Sequence, residues 1–284
     1  MKYTIQQFRK DYPDDDACLD KLFSLRHGER PECTGCHRES KFHRIKGRKA
    51  YACQWCAYQI YPCAGTPLEK TTTPLTSWFY AMYLMTATRN GVSAKELERQ
   101  LGVTYKCAWR MGHKIRELMD TLGMSEPLSG HVEVDESYVG GKRKGGKRGR
   151  GAEGKTIVFG TLERGGEVRG RIVSDVGRRT LEPIVRATVK EGATVSTDEL
   201  QSYKDLVKFG YEHGVVQHGA GEYVSGVHHV NSLEGFFSQL KRGIIGTHIH
   251  VSTKHLPKYV GEFAFRYNNR KNPGQMFERV IRNF

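Results

Sequence analysis

Long hydrophobic runs are absent from this 284-residue chain. A helix that spans a bilayer needs about 18–20 consecutive apolar residues, and no stretch of the sequence approaches that length. The first residues, Met1–Gln6, also lack the apolar segment of a secretory signal. We therefore expect a cytoplasmic protein that makes no membrane contact.

Acidic residues are scarce relative to basic ones. The chain has 31 Asp and Glu residues against 45 Lys and Arg residues, which gives a formal net charge of +14. This charge favours a polyanionic partner, because each neutralised phosphate releases counterions on binding. We expect double-stranded DNA as the partner. The alternative is a charge that only keeps the protein in solution.

The seven cysteines are odd in number, and without a sign of export they argue against a disulfide framework. Four of them form two Cys-x-x-Cys pairs sixteen residues apart: Cys33, Cys36, Cys53 and Cys56. This spacing is typical of a structural zinc site with four thiolate ligands. His37 is a competing ligand. The sequence therefore predicts a Zn²⁺-binding ribbon over residues 13–66.

A helical module is predicted over residues 74–123. Ser93 starts a helix that ends near Leu101, Gly102-Val103 make a turn, and Thr104 caps the next helix. Two helices joined by a short turn with glycine are typical of a helix-turn-helix. Basic residues of the second helix would contact DNA: Lys106, Arg110 and Lys114, with His113 and Arg116 beside them. The alternative is an ordinary helical packing module with a solvated basic face.

Three acidic residues in separate elements form the candidate catalytic set. Asp135 and Asp198 each end an alternating apolar run, a pattern that predicts strands. Glu234 lies at the start of a predicted helix that Asn231 or Ser232 would cap. Carboxylate oxygens are the ligands that Mg²⁺ or Mn²⁺ prefers, and two such ions roughly 3.5–4 Å apart hold a phosphodiester for in-line displacement.

The order of elements predicts an α/β fold. Three antiparallel strands, a helix, a strand, a helical segment, a strand and a helix form the ribonuclease H-like order, over residues 129–272. In that order Asp135 and Asp198 lie side by side, and Glu234 reaches them from the last helix. Glu133 and Glu136 are weaker candidates, and by alternation only Glu133 shares the strand face of Asp135.

Further cations flank the three acids in the sequence. The stretch Gly140–Gly151 reads as a loop whose cations would clamp a DNA backbone: Lys142, Arg143, Lys144, Lys147 and Arg148. A solvated insert is the alternative. Lys241 lies two helical turns after Glu234 on the same face, with Arg242 beside it, where both would contact DNA. Asn231 lies one turn before Glu234 and offers an amide oxygen.

Several motifs together resemble the ISXO-type bacterial insertion-sequence DDE transposases. They are Val134–Lys142, Thr197–Glu199 with Tyr203, His229–Phe236, and an ending between Gly246 and Asn268. That group also begins with a zinc ribbon, so the resemblance covers about residues 13–272. It implies cleavage at the terminal inverted repeats of the element, followed by attack of the freed 3′-hydroxyl on target DNA.

The resemblance implies Asp135, Asp198 and a third ligand at the metal ions. Members of the group have Asn or His, as well as Glu, at the third position, and this sequence offers both Asn231 and Glu234. Glu234 is favoured because a carboxylate binds Mg²⁺ better than a neutral amide does. Lys241 also falls at the expected offset from Glu234.

The predicted protein is thus a Mg²⁺-dependent DNA transposase of an insertion sequence, made of a zinc ribbon, a helix-turn-helix module and a ribonuclease H-like domain. Because two DNA ends must be held together, we expect at least a homodimer. We expect it in the bacterial cytoplasm, associated with the nucleoid. The alternatives are a stand-alone nuclease of the same fold and a non-catalytic DNA-binding regulator.

Overall fold

The computed structural model describes residues 3–121, 126–140 and 154–284. The chain divides into two compact units. The first comprises Met1–Arg89, Ala94–Leu118 and Asn272–Phe284, and the second comprises Asn90–Ser93 and Met119–Lys271. No helix in the described part of the chain is both long enough and apolar enough to cross a membrane.

The described residues form helices and strands that we number in chain order. The helices are α1 (Ile5–Asp11), α2 (Asp15–His27), α3 (Leu75–Ala87), α4 (Ala94–Leu101), α5 (Tyr105–Thr121), α6 (Arg178–Thr188), α7 (Asn231–Gly243), α8 (Leu256–Asn268) and α9 (Met276–Arg282). The strands are β1 (Phe42–Arg44), β2 (Tyr51–Cys53), β3 (Gln59–Ile60), β4 (His131–Val139), β5 (Thr156–Glu163), β6 (Val168–Val173), β7 (Thr194–Asp198) and β8 (Glu212–Val216).

The first unit combines a small sheet with helices. Strands β1, β2 and β3 form an antiparallel sheet in that order. The helical part has an aromatic core, in which Phe277 of α9 lies against Phe8 of α1 and Phe79 of α3. Thr104 caps α5, because its hydroxyl accepts a hydrogen bond from the Cys107 amide at 3.3 Å. That cap was predicted from the sequence.

The second unit is built on a five-stranded sheet in the order β6-β5-β4-β7-β8. Strands β4, β5 and β6 form an antiparallel meander, whereas β7 pairs in parallel with both β4 and β8. This arrangement confirms the predicted meander and the predicted neighbours β4 and β7. Strand β4 therefore lies at the centre of the sheet, with Asp135 in its middle.

Apolar side chains cover the sheet on both faces. One cluster joins Val132 and Val134 of β4 to Leu181 and Val185 of α6. The other joins α7 and α8 to β5, and its members include Leu233, Phe237, Val260 and Phe263. Alternate residues of a strand face opposite sides of a sheet, so the Asp135 face of β4 is the one that α7 covers.

Helix α7 approaches the sheet closely at Gly160 of β5. A Cβ atom at this position would lie 2.8 Å from both Leu233 Cδ1 and Phe237 Cζ, too close for any side chain. Gly160 is also the residue paired with Asp135 across β4 and β5. Glycine here lets α7 lie directly over the part of the sheet that carries Asp135.

Candidate functional site

The parallel pairing of β4 with β7 brings Asp135 and Asp198 together. The last pair in their register is Glu133 with Ser196. Continuing that register by two residues places Asp135 level with Asp198, the last residue of β7. The strand order predicted from the sequence places these two residues side by side, and the structure agrees.

Glu136 joins the two aspartates in an acidic cluster. Asp135, Glu136 and Asp198 each offer a carboxylate oxygen, and these oxygens all lie within 4.8 Å of one another. Glu136 is buried, and its Oε2 accepts a hydrogen bond from the Tyr203 hydroxyl at 3.0 Å. Alternation along β4 predicts that Glu133, and not Glu136, shares the strand face of Asp135, yet Glu136 is the glutamate whose carboxylate lies near both aspartates. Distance between carboxylates at the end of β7 is not given by alternation along β4 alone.

Burial and neighbouring negative charges disfavour the ionised form of Asp135. The pKa of Asp135 is raised well above its usual value because burial removes water from the carboxylate, and the nearby Glu136, Asp198 and Glu234 add negative charge. A hydrogen bond of 2.8 Å from the Glu136 amide to Asp135 Oδ1 acts in the opposite direction. Mutual repulsion of this kind is relieved when a divalent cation binds between the carboxylates. Hard oxygen donors of this set suit Mg²⁺ or Mn²⁺.

Glu234 and Asn231 lie in the first turn of α7. Glu234 is close enough to Asp135 to affect its pKa, but it is not a member of the group within 4.8 Å. Its Oε1 lies 3.9 Å from Nδ1 of His218. Asn231 is exposed at the first position of the helix. The choice between Glu234 and Asn231 as third ligand stays a prediction.

Lys241 lies on α7 beyond Glu234 and is half-buried. Its pKa is lowered, because burial disfavours the ammonium and Lys155 adds a second positive charge, whereas Asp135 opposes the shift. Lys241 therefore lies within electrostatic reach of the acidic cluster. Arg242 is exposed, and its Nε donates to the Ser238 carbonyl at 3.3 Å.

Glu133, a weaker candidate by sequence, is a buried carboxylate that bonds to two other elements. Its side chain is fully buried, and Nε of Arg164 donates to it at 2.8 Å. Its other oxygen accepts a hydrogen bond from the Leu233 amide at 2.9 Å, at the start of α7. The predicted caps Asn231 and Ser232 lie inside α7, and the capping position is Val230, which makes no side-chain cap bond. A sequence pattern near α7 cannot identify Glu133 as the cap, because Glu133 and Leu233 are 100 positions apart in the chain.

The four predicted zinc ligands converge in the first unit. Cys33, Cys36, Cys53 and Cys56 place their sulfur atoms within 4.8 Å of one another, with 3.5 Å between Cys33 and Cys56 and 3.8 Å between Cys36 and Cys53. A tetrahedral Zn²⁺ with bonds of about 2.3 Å separates its sulfurs by about 3.8 Å. The geometry of the four thiols therefore fits a zinc ion.

The surroundings of Cys53 favour its thiolate form. Burial raises the pKa of its thiol, but hydrogen bonds from the Cys56 and Trp55 amides and with the Ser40 and Cys33 side chains outweigh burial and lower the pKa to about 6. Ser40 is itself buried, with its Oγ 3.1 Å from the Cys53 sulfur, and its hydroxyl donates to the Lys41 carbonyl at 2.8 Å. A buried polar group in contact with a metal ligand helps to orient that ligand.

The predicted DNA-binding residues of α5 differ in exposure. Helices α4 and α5 are separated by Gly102-Val103-Thr104, in agreement with the predicted turn. Lys106 and Arg110 are exposed, and Lys114 is half-buried with its Nζ 2.8 Å from Glu117. His113 and Arg116 are buried and do not belong to an exposed basic face. The remaining predicted cations lie outside the described residues: Lys142, Arg143, Lys144, Lys147 and Arg148.

Comparison with known families finds two matches in this chain. Residues 127–268 match the family described as ISXO2-like transposase domain. Residues 13–59 match the family described as transposase zinc-ribbon domain. The first match contains all three carboxylates of the acidic cluster, and the second contains all four clustered cysteines.

Similar proteins include products of transposable elements. An uncharacterized protein in transposable element ISH50 of Halobacterium salinarum is 30% identical over 268 residues, which cover 88% of this chain and 89% of that protein. An uncharacterized transposase-like protein of Haemophilus influenzae is 27% identical over 105 residues, covering 37% of this chain and 84% of that protein. Among solved structures, a simian T-cell lymphotropic virus intasome with a PP2A regulatory subunit aligns with a TM-score of 0.30 and 10% identity, covering 66% of this chain and 65% of that chain.

Proposed function

The chain belongs to the ISXO2-like transposase family, and from this premise we propose that it catalyses the movement of an insertion sequence. It binds the terminal inverted repeats of the element and carries out metal-dependent strand cleavage followed by strand transfer into target DNA. The observation that carries the proposal is the acidic cluster of Asp135, Glu136 and Asp198.

The proposed catalytic domain is ribonuclease H-like and occupies residues 129–272. Its support is the strand order β6-β5-β4-β7-β8, with the acids at the centre of the sheet and α7 lying over them. A zinc ribbon over residues 13–66 and a helix-turn-helix module over residues 74–123 precede it. Both modules serve DNA binding, and the thiol geometry described above supports Zn²⁺ as the structural ion of the ribbon.

Asp135 and Asp198 are the proposed ligands of two Mg²⁺ or Mn²⁺ ions, with Glu234 as the third. The pKa of Asp135 is raised by burial and by the charges of Glu136, Asp198 and Glu234, which supports a cation in their midst. Asn231 is the alternative third ligand from α7. Glu136 offers a further oxygen at the same place.

The bound ions would supply an activated nucleophilic oxygen and would stabilise the leaving 3′-oxygen. The protein would position the carboxylates that hold these ions. Asp135 and Asp198 are held level by paired strands, and Tyr203 fixes the carboxylate of Glu136. Lys241 places a positive charge near the acids, where it contacts the phosphate that flanks the scissile bond.

The proposed partner is double-stranded DNA, as both element ends and target. The net charge of +14 and the exposed Lys106 and Arg110 of α5 support it. The remaining residues of the proposed contact set are Lys114, Lys142, Arg143, Lys144, Lys147, Arg148, Lys241 and Arg242. Because two ends must be joined, the active form is at least a homodimer. It works on chromosomal DNA in the cytoplasm, at the nucleoid.

A strand-transfer assay tests the proposal. The purified protein is incubated with DNA carrying the flanking ends of its element, Mg²⁺ and a supercoiled target plasmid. We expect end fragments joined to the plasmid, and we expect Asp198→Asn to bind the ends without producing them. Hydrolysis without joining would indicate a stand-alone nuclease. DNA binding that is the same with and without Mg²⁺, together with no strand cleavage, would indicate a DNA-binding regulator.

A further inference from the structure

We propose that Glu133 is a positioning residue for the third metal ligand. Its buried carboxylate fixes the N-terminus of α7 against β4 and so sets where Glu234 stands relative to Asp135 and Asp198. The inference rests on the proposed function, because it takes Glu234 as a ligand of the catalytic ions. It assigns Glu133 a role that acts through Glu234 and not through direct contact with metal or DNA.

Glu133 caps the N-terminus of α7. The first amides of a helix lack partners within the helix, and Val230 gives α7 no side-chain cap. Leu233 occupies the third helical position, whose amide a capping side chain ordinarily satisfies. That amide donates to Oε2 of Glu133 at 2.9 Å. A carboxylate at this end of a helix is further favoured by the helix dipole.

An ion pair fixes Glu133 itself. Nε of Arg164, the residue after β5, donates to Glu133 Oε1 at 2.8 Å. The same guanidinium donates to the carbonyls of Val227 at 2.7 Å and His229 at 2.9 Å. This pair of a buried carboxylate and a partly exposed guanidinium therefore joins β4, the end of β5 and the chain that enters α7.

Glu133 and Leu233 are each close in sequence to a proposed metal ligand. Glu133 lies two residues before Asp135 on the same strand face, and Leu233 immediately precedes Glu234. The bond between Glu133 and Leu233 is thus a short link between two of the elements that carry the proposed ligands. Mg²⁺ demands near-ideal octahedral geometry, so small displacements of α7 alter its affinity.

Glu133 does not act as a ligand of the catalytic ions. Both of its carboxylate oxygens already accept hydrogen bonds, from Leu233 and from Arg164. Among the described residues, the acidic group that could hold a metal contains Asp135, Glu136 and Asp198 and does not contain Glu133. A partner that orients a ligand without touching the metal changes affinity by about 10–100-fold when it is removed.

The test uses the full-length, zinc-loaded protein and its variants Glu133→Ala and Glu133→Gln. Mn²⁺ binding is measured by titration calorimetry, and hydrogen exchange is measured in peptides that cover the start of α7. We expect Glu133→Ala to weaken Mn²⁺ binding by about tenfold or more and to speed exchange at Leu233 and Glu234. Glu133→Gln keeps an acceptor oxygen and the side-chain volume, so it should fall between wild type and alanine, and it serves if the alanine variant does not fold.

A matched control separates positioning from stability. Glu262 and Arg266 form a buried ion pair within α8, with 2.6 Å between Oε1 and Nη2. Glu262→Gln should lower the melting temperature as a broken buried pair does, but leave Mn²⁺ affinity and exchange at α7 unchanged. An equal loss of Mn²⁺ affinity in Glu262→Gln would overturn the inference, because the effect would then follow from stability alone.

A double-mutant cycle with Glu234→Gln decides whether Glu133 acts through Glu234. We expect Glu133→Ala to add little once Glu234 is replaced. Equal losses in both backgrounds would overturn the positioning role and leave the proposed function standing. If Mn²⁺ binding to the wild-type protein is not detected, or is unchanged in Asp135→Asn, the proposed function is overturned and this inference with it.

Discussion

The hydroxyl of Tyr203 donates a hydrogen bond to Oε2 of Glu136 at 3.0 Å, and both side chains are buried. The pKa of Tyr203 is raised well above its usual value, because burial and the neighbouring Glu136 and Asp135 carboxylates disfavour the phenolate. Tyr203 is therefore a permanent donor at neutral pH. It holds Glu136 beside Asp135 and Asp198.

Replacing Tyr203 tests this arrangement. Tyr203→Phe leaves a buried carboxylate without this donor, so we expect the free energy of unfolding in urea to fall by about 1–3 kcal/mol. Mn²⁺ affinity should fall as well, because Glu136 loses its orientation. Tyr211→Phe is the control, since its buried hydroxyl donates to the Val189 carbonyl at 3.1 Å. If both variants lose stability and neither loses metal affinity, Glu136 does not depend on Tyr203.

Asp135→Asn should separate DNA binding from cleavage. We expect wild-type affinity for the element ends and no detectable cleavage, because the amide is a poor ligand for Mg²⁺. We also expect a higher unfolding free energy than wild type in magnesium-free buffer, since one of several repelling charges is removed. Gel-shift, cleavage and urea-denaturation assays measure the three effects.

The control for Asp135→Asn is Asp205→Asn. The pKa of Asp205 is lowered by a hydrogen bond from Lys208 and by the charges of Arg178 and Lys208, and Lys208 Nζ lies 2.8 Å away. Its replacement should lower stability and leave cleavage intact. Cleavage that persists in Asp135→Asn would refute the assignment of the acidic cluster.

Glu234→Gln and Asn231→Ala identify the third ligand. We expect Glu234→Gln to abolish cleavage and Asn231→Ala to reduce it only slightly, because a carboxylate binds Mg²⁺ more strongly than an amide. Cleavage assays across a range of Mn²⁺ concentrations are the measurement. The reverse outcome would assign the position to Asn231. Activity in both variants, with none in Glu136→Gln, would assign it to Glu136.

Removal of zinc should unfold the ribbon. The four clustered thiols repel one another once deprotonated, and ribbon folding depends on the metal that neutralises them. After chelation we expect fast hydrogen exchange between Cys33 and Cys56, and Cys36→Ser should lose its zinc. Cys107→Ser, outside the cluster, should retain one zinc per chain by elemental analysis. Unchanged exchange in the metal-free ribbon would contradict a structural zinc.

Lys106→Ala and Arg110→Ala should weaken DNA binding through loss of phosphate contacts. Each should lower the slope of log K against log salt concentration by about 0.9, the value per neutralised phosphate. Fluorescence anisotropy at several salt concentrations gives the slopes. Lys190→Ala removes an equally exposed cation outside α5 and should leave the slope unchanged. If all three variants lower the slope equally, α5 makes no specific phosphate contacts and contributes only to the net charge of the protein.

Local patterns were sufficient for much of the fold. The alternating run ending at Asp198 is β7, and the run ending at Asp135 is the first part of β4, which continues to Val139. The predicted antiparallel meander is also present. The start of α5 was also correct, because Thr104 caps it through a neighbour three residues away. Hydrophobic periodicity and helix capping depend on residues a few positions apart, so a single sequence is enough to predict these strands and this helix start.

Hydrophobic periodicity and capping patterns do not predict contacts between residues far apart in the chain. The cap of α7 comes from Glu133, and local reasoning assigned it to Asn231 or Ser232. His113 and Arg116 counted as basic surface by composition, yet they are buried. Both differences arise from residues that pack together from distant parts of the chain.

The sequence by itself determined the chemistry of this protein: thiolate spacing typical of a zinc ribbon, acids on separate elements, and motifs of a transposase family. Only the tertiary structure decided which acids meet. Glu136 joins Asp135 and Asp198 because β7 ends beside them, and Glu133 turns away to bind α7 and Arg164. Residue type sets what a side chain can bind, whereas distance between side chains depends on strand pairing and helix packing.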